Sequence, residues 1–167
     1  MLTKSKSLLL GICLTGLVIP FSLVANSHHK ASASHEVSVS QLYADSSSKN
    51  LGGPLARELQ GKPVVVDIYS SSCSACRTLA PVLSELKERY KGKAHFIVFD
   101  VSNRNTSRQA EAKARELGLG DFFAKHKSQT ATVTIIDPNN GNILSQDRKN
   151  ANLNAYTSVL DNAIAQR

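Results

Sequence analysis

The sequence contains no tryptophan, and tyrosine and phenylalanine contribute only four and five residues. A core formed by this 167-residue chain must therefore be mostly aliphatic, and the length suits one domain. Basic residues do not alternate with aromatic ones in any stripe, which argues against a nucleic-acid partner. Cysteine is also scarce. Of the three cysteines, only Cys73 and Cys76 lie outside an N-terminal apolar run, which contains Cys13.

That N-terminal segment, residues 1–33, has the features of an export signal. A short positive start precedes an apolar stretch at 8–25, and Ala31-Ser32-Ala33 forms a small-residue cleavage pattern. We expect cleavage, and a retained stretch would instead anchor the chain in a membrane. Three of the 20 basic residues belong to this leader, and the others are interspersed with acidic ones, as on an ordinary solvated surface.

The rest of the chain predicts an α/β fold. Serine-rich residues 34–50 indicate a linker, and residues 51–167 indicate the folded domain. Residues 118–130 carry no apolar period and are expected to be irregular. The predicted elements are a helix at 54–60, a buried strand at 62–70, a helix at 73–90, a strand at 94–101, a helix at 106–117, a hairpin at 131–147 and a helix at 152–166. This order predicts a mixed central β-sheet flanked by helices in a three-layer sandwich.

The two cysteines lie where the buried strand becomes a helix. Spacing of i and i+3 at a helix start brings two Cα atoms within the range of a disulfide. Cys73 lies beside the free amides of the first turn, which stabilise a thiolate, and Cys76 is expected to be more buried. Asp67, six residues before Cys73 in "VVVDIY", lies in an apolar strand, so we expect a raised pKa. The pattern predicts thiol–disulfide exchange, with Cys73 attacking and Cys76 resolving.

The segment "KPVVVDIYSSSCSACRTLAPVLSEL" resembles the active-site segment of the thioredoxin family. The resemblance covers the strand, the Cys-x-x-Cys, Arg77 and Pro81, and it extends loosely from Leu51 to Arg167. It implies a thioredoxin-like fold, and it implies that Asp67 carries the proton of the resolving thiol.

Three positions depart from the family pattern. Ser72 replaces the usual tryptophan, Ser74-Ala75 replaces the Gly-Pro of thioredoxin, and Ala131-Thr132 stands where the family has a cis-proline and often a threonine. A cis bond before alanine is costly, so we expect a trans bond. The resemblance implies that Ser72, Ala131 and Thr132 contact the substrate.

Other interpretations use the same cysteines without catalysis. A zinc site needs four ligands, and the sequence has no second Cys-x-x-Cys and no His-x-x-His, although His126 could approach the pair. A structural disulfide across this short gap would constrain the unfolded chain little. His95 reads as a packed or edge histidine, and 125–127 (Lys-His-Lys) as a solvated loop. The alternative to an enzyme is therefore a non-catalytic metal-binding or assembly module.

The sequence as a whole predicts an exported thiol–disulfide oxidoreductase without cofactor or bound metal. Ser74-Ala75 supplies no histidine to stabilise a thiolate strongly, so we expect a reductant of protein disulfides rather than an oxidant. An exported reductant must draw electrons from a membrane-embedded donor. We expect a monomer that contacts the membrane only if the leader is retained, in the periplasm, a lumen or outside the cell.

Overall fold

The computed structural model describes residues 49–167. The predicted leader and nearly all of the predicted linker lie outside this range. Asn50 forms an isolated antiparallel bridge with Asn142, so the described domain includes the last residue assigned to the linker. Among the helices of the described part of the chain, none combines the length and apolar character needed to cross a bilayer.

A four-stranded mixed sheet forms the middle layer, as predicted. The strands are β1 (Val64–Tyr69), β2 (His95–Asp100), β3 (Thr132–Asp137) and β4 (Asn142–Arg148), and the helices are α1 (Ser74–Arg89), α2 (Arg104–Glu116), α3 (Gly120–His126) and α4 (Leu153–Ala165). The strand order is β2-β1-β3-β4. Strand β1 pairs parallel with β2 and antiparallel with β3, and β3 and β4 form the predicted hairpin.

Strand β1 is buried on both faces, as its unbroken apolar run predicts. Alternate side chains of a strand point to opposite faces. Val64, Val66 and Ile68 pack in an apolar cluster with residues of α2 and α3. Val65 and Tyr69 pack in a second cluster with residues of α1 and α4. The helices thus cover both faces, which confirms the predicted three-layer sandwich.

The predicted helix at 54–60 is wrong. Only a single 3-10 turn forms there, at Arg57–Leu59. The reason is non-local, because the backbone N–H groups of Leu55 and Ala56 donate to the carbonyls of Pro138 (2.9 Å) and Leu117 (3.0 Å). These bonds fix the segment in an extended path across the domain instead of a helix.

The expectation of an irregular segment at 118–130 is also wrong. Helix α3 occupies part of it and buries Phe122, Phe123 and His126. Phe123 is fully buried and meets Phe99 edge-to-face, with ring centroids 5.3 Å apart. The predicted solvated loop at 125–127 is therefore wrong for His126, while its two lysine neighbours are exposed.

Replacing Phe123 should reveal how much α3 contributes to the core. We expect Phe123→Ala to lower the free energy of unfolding by about 3–5 kcal/mol, because it empties a fully buried site and removes the aromatic contact. Chemical denaturation of the two proteins measures the difference. Val98→Ala, at a side chain 60% exposed, is the control and should change the free energy by less than about 0.5 kcal/mol. Equal effects of the two changes would contradict the packing of α3.

Candidate active site

The cysteine pair lies at the turn between β1 and α1. Cys73 is the N-cap of α1, and its Sγ accepts a hydrogen bond from the backbone N–H of Cys76 at 3.1 Å. Its own backbone N–H donates to the carbonyl of Ser70 at 3.1 Å, which fixes the turn. Both thiols are free; Cys73 is half-buried and Cys76 is only 4% exposed. The predicted difference in exposure between the two thiols is present.

The environment of Cys73 favours a thiolate. Partial burial raises the pKa of the Cys73 thiol, but hydrogen bonds to its sulfur outweigh this effect and hold the pKa below its ordinary value. The donors are the Cys76 thiol, the Thr130 hydroxyl and the backbone N–H groups of Cys76 and Ala75. Two of these donors are amides of the first helical turn, the groups that sequence reasoning expected to stabilise the thiolate.

Cys76 has the opposite character. Burial raises the pKa of the Cys76 thiol, and its hydrogen bond to Cys73 and the charges of Cys73 and Asp67 raise it further. A nucleophile that stays protonated until it is needed cannot compete with Cys73 for the first attack. It must lose its proton before it can resolve a mixed disulfide.

Asp67 lies in the middle of β1, between Val98 of β2 and Val133 of β3 in the register of the sheet. Only 7% of its surface is exposed. Burial raises the pKa of Asp67 to about 6, as expected from its apolar strand. The carboxyl group is therefore mostly ionised at pH 7. Its pKa is nevertheless close enough to pH 7 for the group to accept a proton and release it again.

An open cavity of about 300 Å³ connects Asp67 with Cys76 and with solvent. We call this cavity the groove. It runs between α1 and the β2 side of the sheet, and its walls are mainly apolar. Its lining includes Asp67, Cys76, Leu83, Lys87, Phe96 and Val98. The carboxyl group and the buried thiol share this one space, which can admit the water needed to relay a proton between them.

The residues predicted to contact substrate lie around the pair to different extents. Ala131 is fully buried in the same apolar cluster as Cys76. Ser72 is exposed, and its hydroxyl is 3.0 Å from that of Ser70. Thr132 is buried, and its hydroxyl donates to the carbonyl of Gln129 at 2.6 Å. The substrate contacts of these three residues stay predictions.

The backbone at Ala131 explains why this chain does not need proline there. No cis peptide bond occurs in residues 49–167, and Ala131 has a φ of 61°. Its N–H donates to the carbonyl of Ile68, and its carbonyl accepts from the N–H of Lys149, both at 2.8 Å. A proline would lose the first bond and could not adopt this φ.

Thr130 is a site residue that sequence reasoning missed. Its hydroxyl bonds the Cys73 sulfur from across the active-site turn, although it is 57 positions away in the chain. One sequence signal pointed to Thr130. It carries a hydroxyl group and directly precedes Ala131, which the resemblance aligned with the cis-proline position facing the cysteines. That signal is weak, because the hydrogen bond to Cys73 depends on the conformation of the loop, which the sequence does not reveal.

The histidines do not join the cysteines. In residues 49–167 no three His, Cys, Asp or Glu side chains lie together in a way that could hold a metal ion. His126 stacks on Phe122 with ring centroids 4.7 Å apart, and Phe122 belongs to the cluster on the opposite face of the sheet from Cys76. His95 lies on the edge strand β2, half-buried, as expected for a packed or edge histidine.

Comparison with known proteins agrees with this geometry. The family model described as Thioredoxin matches residues 54–117, which contain β1, both cysteines, α1 and β2. A thiol:disulfide interchange protein TxlA homolog of Synechocystis sp. is 29% identical over 119 residues, covering 65% of this chain and 66% of that protein. Residues 54–117 are thus similar to the thioredoxin family. The cysteine pair therefore occupies the segment that the family model describes.

Other similarities are shorter or more distant. The chloroplastic thioredoxin-like protein HCF164 of Arabidopsis thaliana is 42% identical over 43 residues, which cover 26% of this chain and 16% of that protein. The chain thus spans less than two thirds of the length of either relative. A solved thioredoxin of Fasciola hepatica is 21% identical with a TM-score of 0.43, covering 64% of this chain and 85% of that one.

Proposed function

We propose that the chain is an exported thiol–disulfide oxidoreductase that reduces protein disulfides. The observation that carries the proposal is the unequal pair of thiols at the start of α1. Cys73 is half-buried and the pKa of its thiol is lowered, whereas Cys76 is buried and the pKa of its thiol is raised. The similarity to proteins named for thiol:disulfide interchange supports the same reaction class.

The reaction begins when the Cys73 thiolate attacks one sulfur of a substrate disulfide. A mixed disulfide forms, and the other substrate sulfur leaves as a thiolate that takes a proton from solvent. The Asp67 carboxylate then accepts the Cys76 proton through the groove. The Cys76 thiolate attacks the Cys73 sulfur and releases the second substrate thiolate. Two electrons pass to the substrate, and the pair ends as a Cys73–Cys76 disulfide.

A reducing direction requires a source of electrons outside the cytosol. In this proposal residues 1–33 are an export leader and residues 34–50 are a tether. The catalytic domain follows at 51–167. The glutathione and thioredoxin pools lie on the other side of the membrane, so a membrane-embedded donor must return the pair to the dithiol. No cofactor is needed, because the two cysteines store the electrons themselves.

The reduction potential of the pair tests this proposal. We expect a value nearer thioredoxin, about −270 mV, than a strong oxidant at about −120 mV, because neither Ser74 nor Ala75 adds a charge that stabilises the thiolate. Equilibration of the full chain with glutathione buffers of known potential, followed by alkylation and mass spectrometry, measures it. A potential above about −160 mV would contradict the reducing direction. Failure of the pair to form a disulfide would contradict the reaction class.

A further inference from the structure

The cysteine pair shares one end of the sheet with several basic side chains. Tyr69 and Asp100, the last residues of β1 and β2, are aligned there, and Ile68 aligns with Thr132 at the start of β3. With strands about 4.8 Å apart, this end is about 14 Å wide from β2 to β4. Five basic residues lie at or beside it. We call them the basic rim, and they are Arg77, Arg104, Lys127, Arg148 and Lys149.

Hydrogen bonds attach the basic rim to the cysteine turn on the β2 side. The guanidinium group of Arg77 donates to the carbonyl of Ser71 at 3.3 Å. The backbone N–H of Ser71 donates to the hydroxyl of Ser102 at 2.8 Å, which fastens the loop that leads to Arg104. Two cations of the basic rim therefore keep a fixed relation to Cys73, two residues after Ser71.

A second set of bonds attaches the basic rim on the β4 side. Arg148 pairs with Thr132 at the end of the β3–β4 hairpin. The N–H of Lys149 donates to the carbonyl of Ala131, the neighbour of the Thr130 that bonds the Cys73 sulfur. The cations thus lie on both sides of the nucleophile.

No side chain of the basic rim forms an ion pair with another described residue. Within residues 50–167 the ion pairs use Arg89, Lys113, Arg115 and Arg167, and none of them includes a member of the basic rim. Two carboxylates, Asp100 and Asp147, lie at the same end of the sheet and are half-buried, so five cations face two anions there and three positive charges remain in excess. Asp100 accepts from the N–H of Ser102, and Asp147 accepts from the side-chain amide of Asn150.

We propose that the basic rim binds acidic residues flanking the disulfide of a partner protein. The inference rests on the proposed function and adds to it the charge class of the substrate. All five side chains are exposed. The width of this end of the sheet, about 14 Å, is only about twice the Debye length at physiological salt. An acidic segment that places its cysteine on Cys73 would meet several unpaired cations at once. Such charge complementarity raises association rates by about 10- to 10³-fold at low salt.

The opposite end of the domain supplies a matched control. Lys87 and Lys91 lie there beside Glu88 around a shallow cavity, and Lys93 follows on the same turn. Replacing Lys91 and Lys93 removes the same charge as replacing Arg148 and Lys149, at a distance from the cysteines. The double variants are Arg148→Gln/Lys149→Gln and Lys91→Gln/Lys93→Gln.

The experiment measures single-turnover reduction, which needs no electron donor. The full chain, solubilised in neutral detergent and pre-reduced, is mixed with disulfide-linked homodimers of a one-cysteine peptide whose flanks are acidic, neutral or basic. Acid quenching and mass spectrometry follow the release of peptide thiol at about 0.01 M and about 1 M salt. The disulfide of N-acetylcysteine amide serves as a small uncharged substrate.

At low salt we expect Arg148→Gln/Lys149→Gln to slow reduction of the acidic peptide by about fivefold or more and of the neutral peptide by less than about twofold. High salt should remove this difference, and Lys91→Gln/Lys93→Gln should leave all rates near those of the unchanged chain. Equal effects of the two double variants, or faster reduction of the basic peptide, would overturn the inference. Failure to reduce even the small uncharged disulfide would instead overturn the proposed function.

Discussion

Cys76→Ser should accumulate partner proteins in mixed disulfides, whereas Cys73→Ser should accumulate almost none. The accessible, thiolate-favouring Cys73 makes the first attack, and only Cys76 is placed to release the partner. Both substitutions should lower multiple-turnover reduction by on the order of 10³-fold, because the two thiols act as a unit. Non-reducing gels of extracts from the export compartment, run with and without dithiothreitol, measure the conjugates.

Two comparisons make this result decisive. Ser74→Ala, between the cysteines, is the control and should trap no partners. Equal trapping by Cys73→Ser and Cys76→Ser would show that nucleophile and resolver have been wrongly distinguished. The alternative of a metal-binding module predicts zinc or copper in the reduced protein, lost from both cysteine variants, and no conjugates in either.

Asp67→Asn should slow the resolving step at pH 7 by about 10- to 100-fold. An amide cannot accept the Cys76 proton, and a positioned base contributes about 10²–10⁴-fold when its proton transfer limits the rate. The deficit should narrow toward pH 9, where solvent removes the Cys76 proton directly. In the unchanged chain the step should slow as the pH falls through about 6, since Asp67 is then protonated. Decay of a preformed mixed disulfide across this pH range measures both effects.

The same substitution should stabilise the fold at neutral pH. The pKa of Asp67 rises from 3.8 to about 6 on folding, so the folded state holds its proton where the unfolded state has lost it. The contribution of Asp67 to stability is therefore most favourable below pH 4 and falls by roughly 3 kcal/mol as the pH rises past 6. Asp67→Asn removes this loss, whereas Asp121→Asn, at an exposed carboxylate, should not. Unchanged kinetics with raised stability would make Asp67 purely structural.

Much of the site could be predicted from sequence because its main parts are local. The apolar run of β1, the helical period of α1 and the cysteines between them occupy fewer than 30 consecutive residues. Their order alone places Cys73 at a helix start and Asp67 in a buried strand. The N-cap role of Cys73 and the burial of Asp67 and Cys76 follow from that order.

The parts that could not be predicted depend on contacts between distant segments. Helix α3 has only seven residues, too few to display a period, and its place is fixed by the packing of Phe123 on Phe99. The segment at 54–60 fails to form a helix because its amides bond to residues far along the chain. The basic rim was hidden for the same reason, since its members come from four separate stretches with acidic residues between them.

Binding of a molecule in the groove and protonation of Asp67 depend on each other. The pKa of Asp67 is raised by exclusion of water, and one wall of the groove is the edge strand β2, where Val98 is largely exposed. Any molecule that bound over this wall would exclude more water and raise the pKa of Asp67 further. Linkage is reciprocal, so the protonated site would in turn bind that molecule more tightly than the ionised one. Binding at a surface away from Cys73 would therefore change the proton affinity of Asp67, and protonation of Asp67 would change the binding in return.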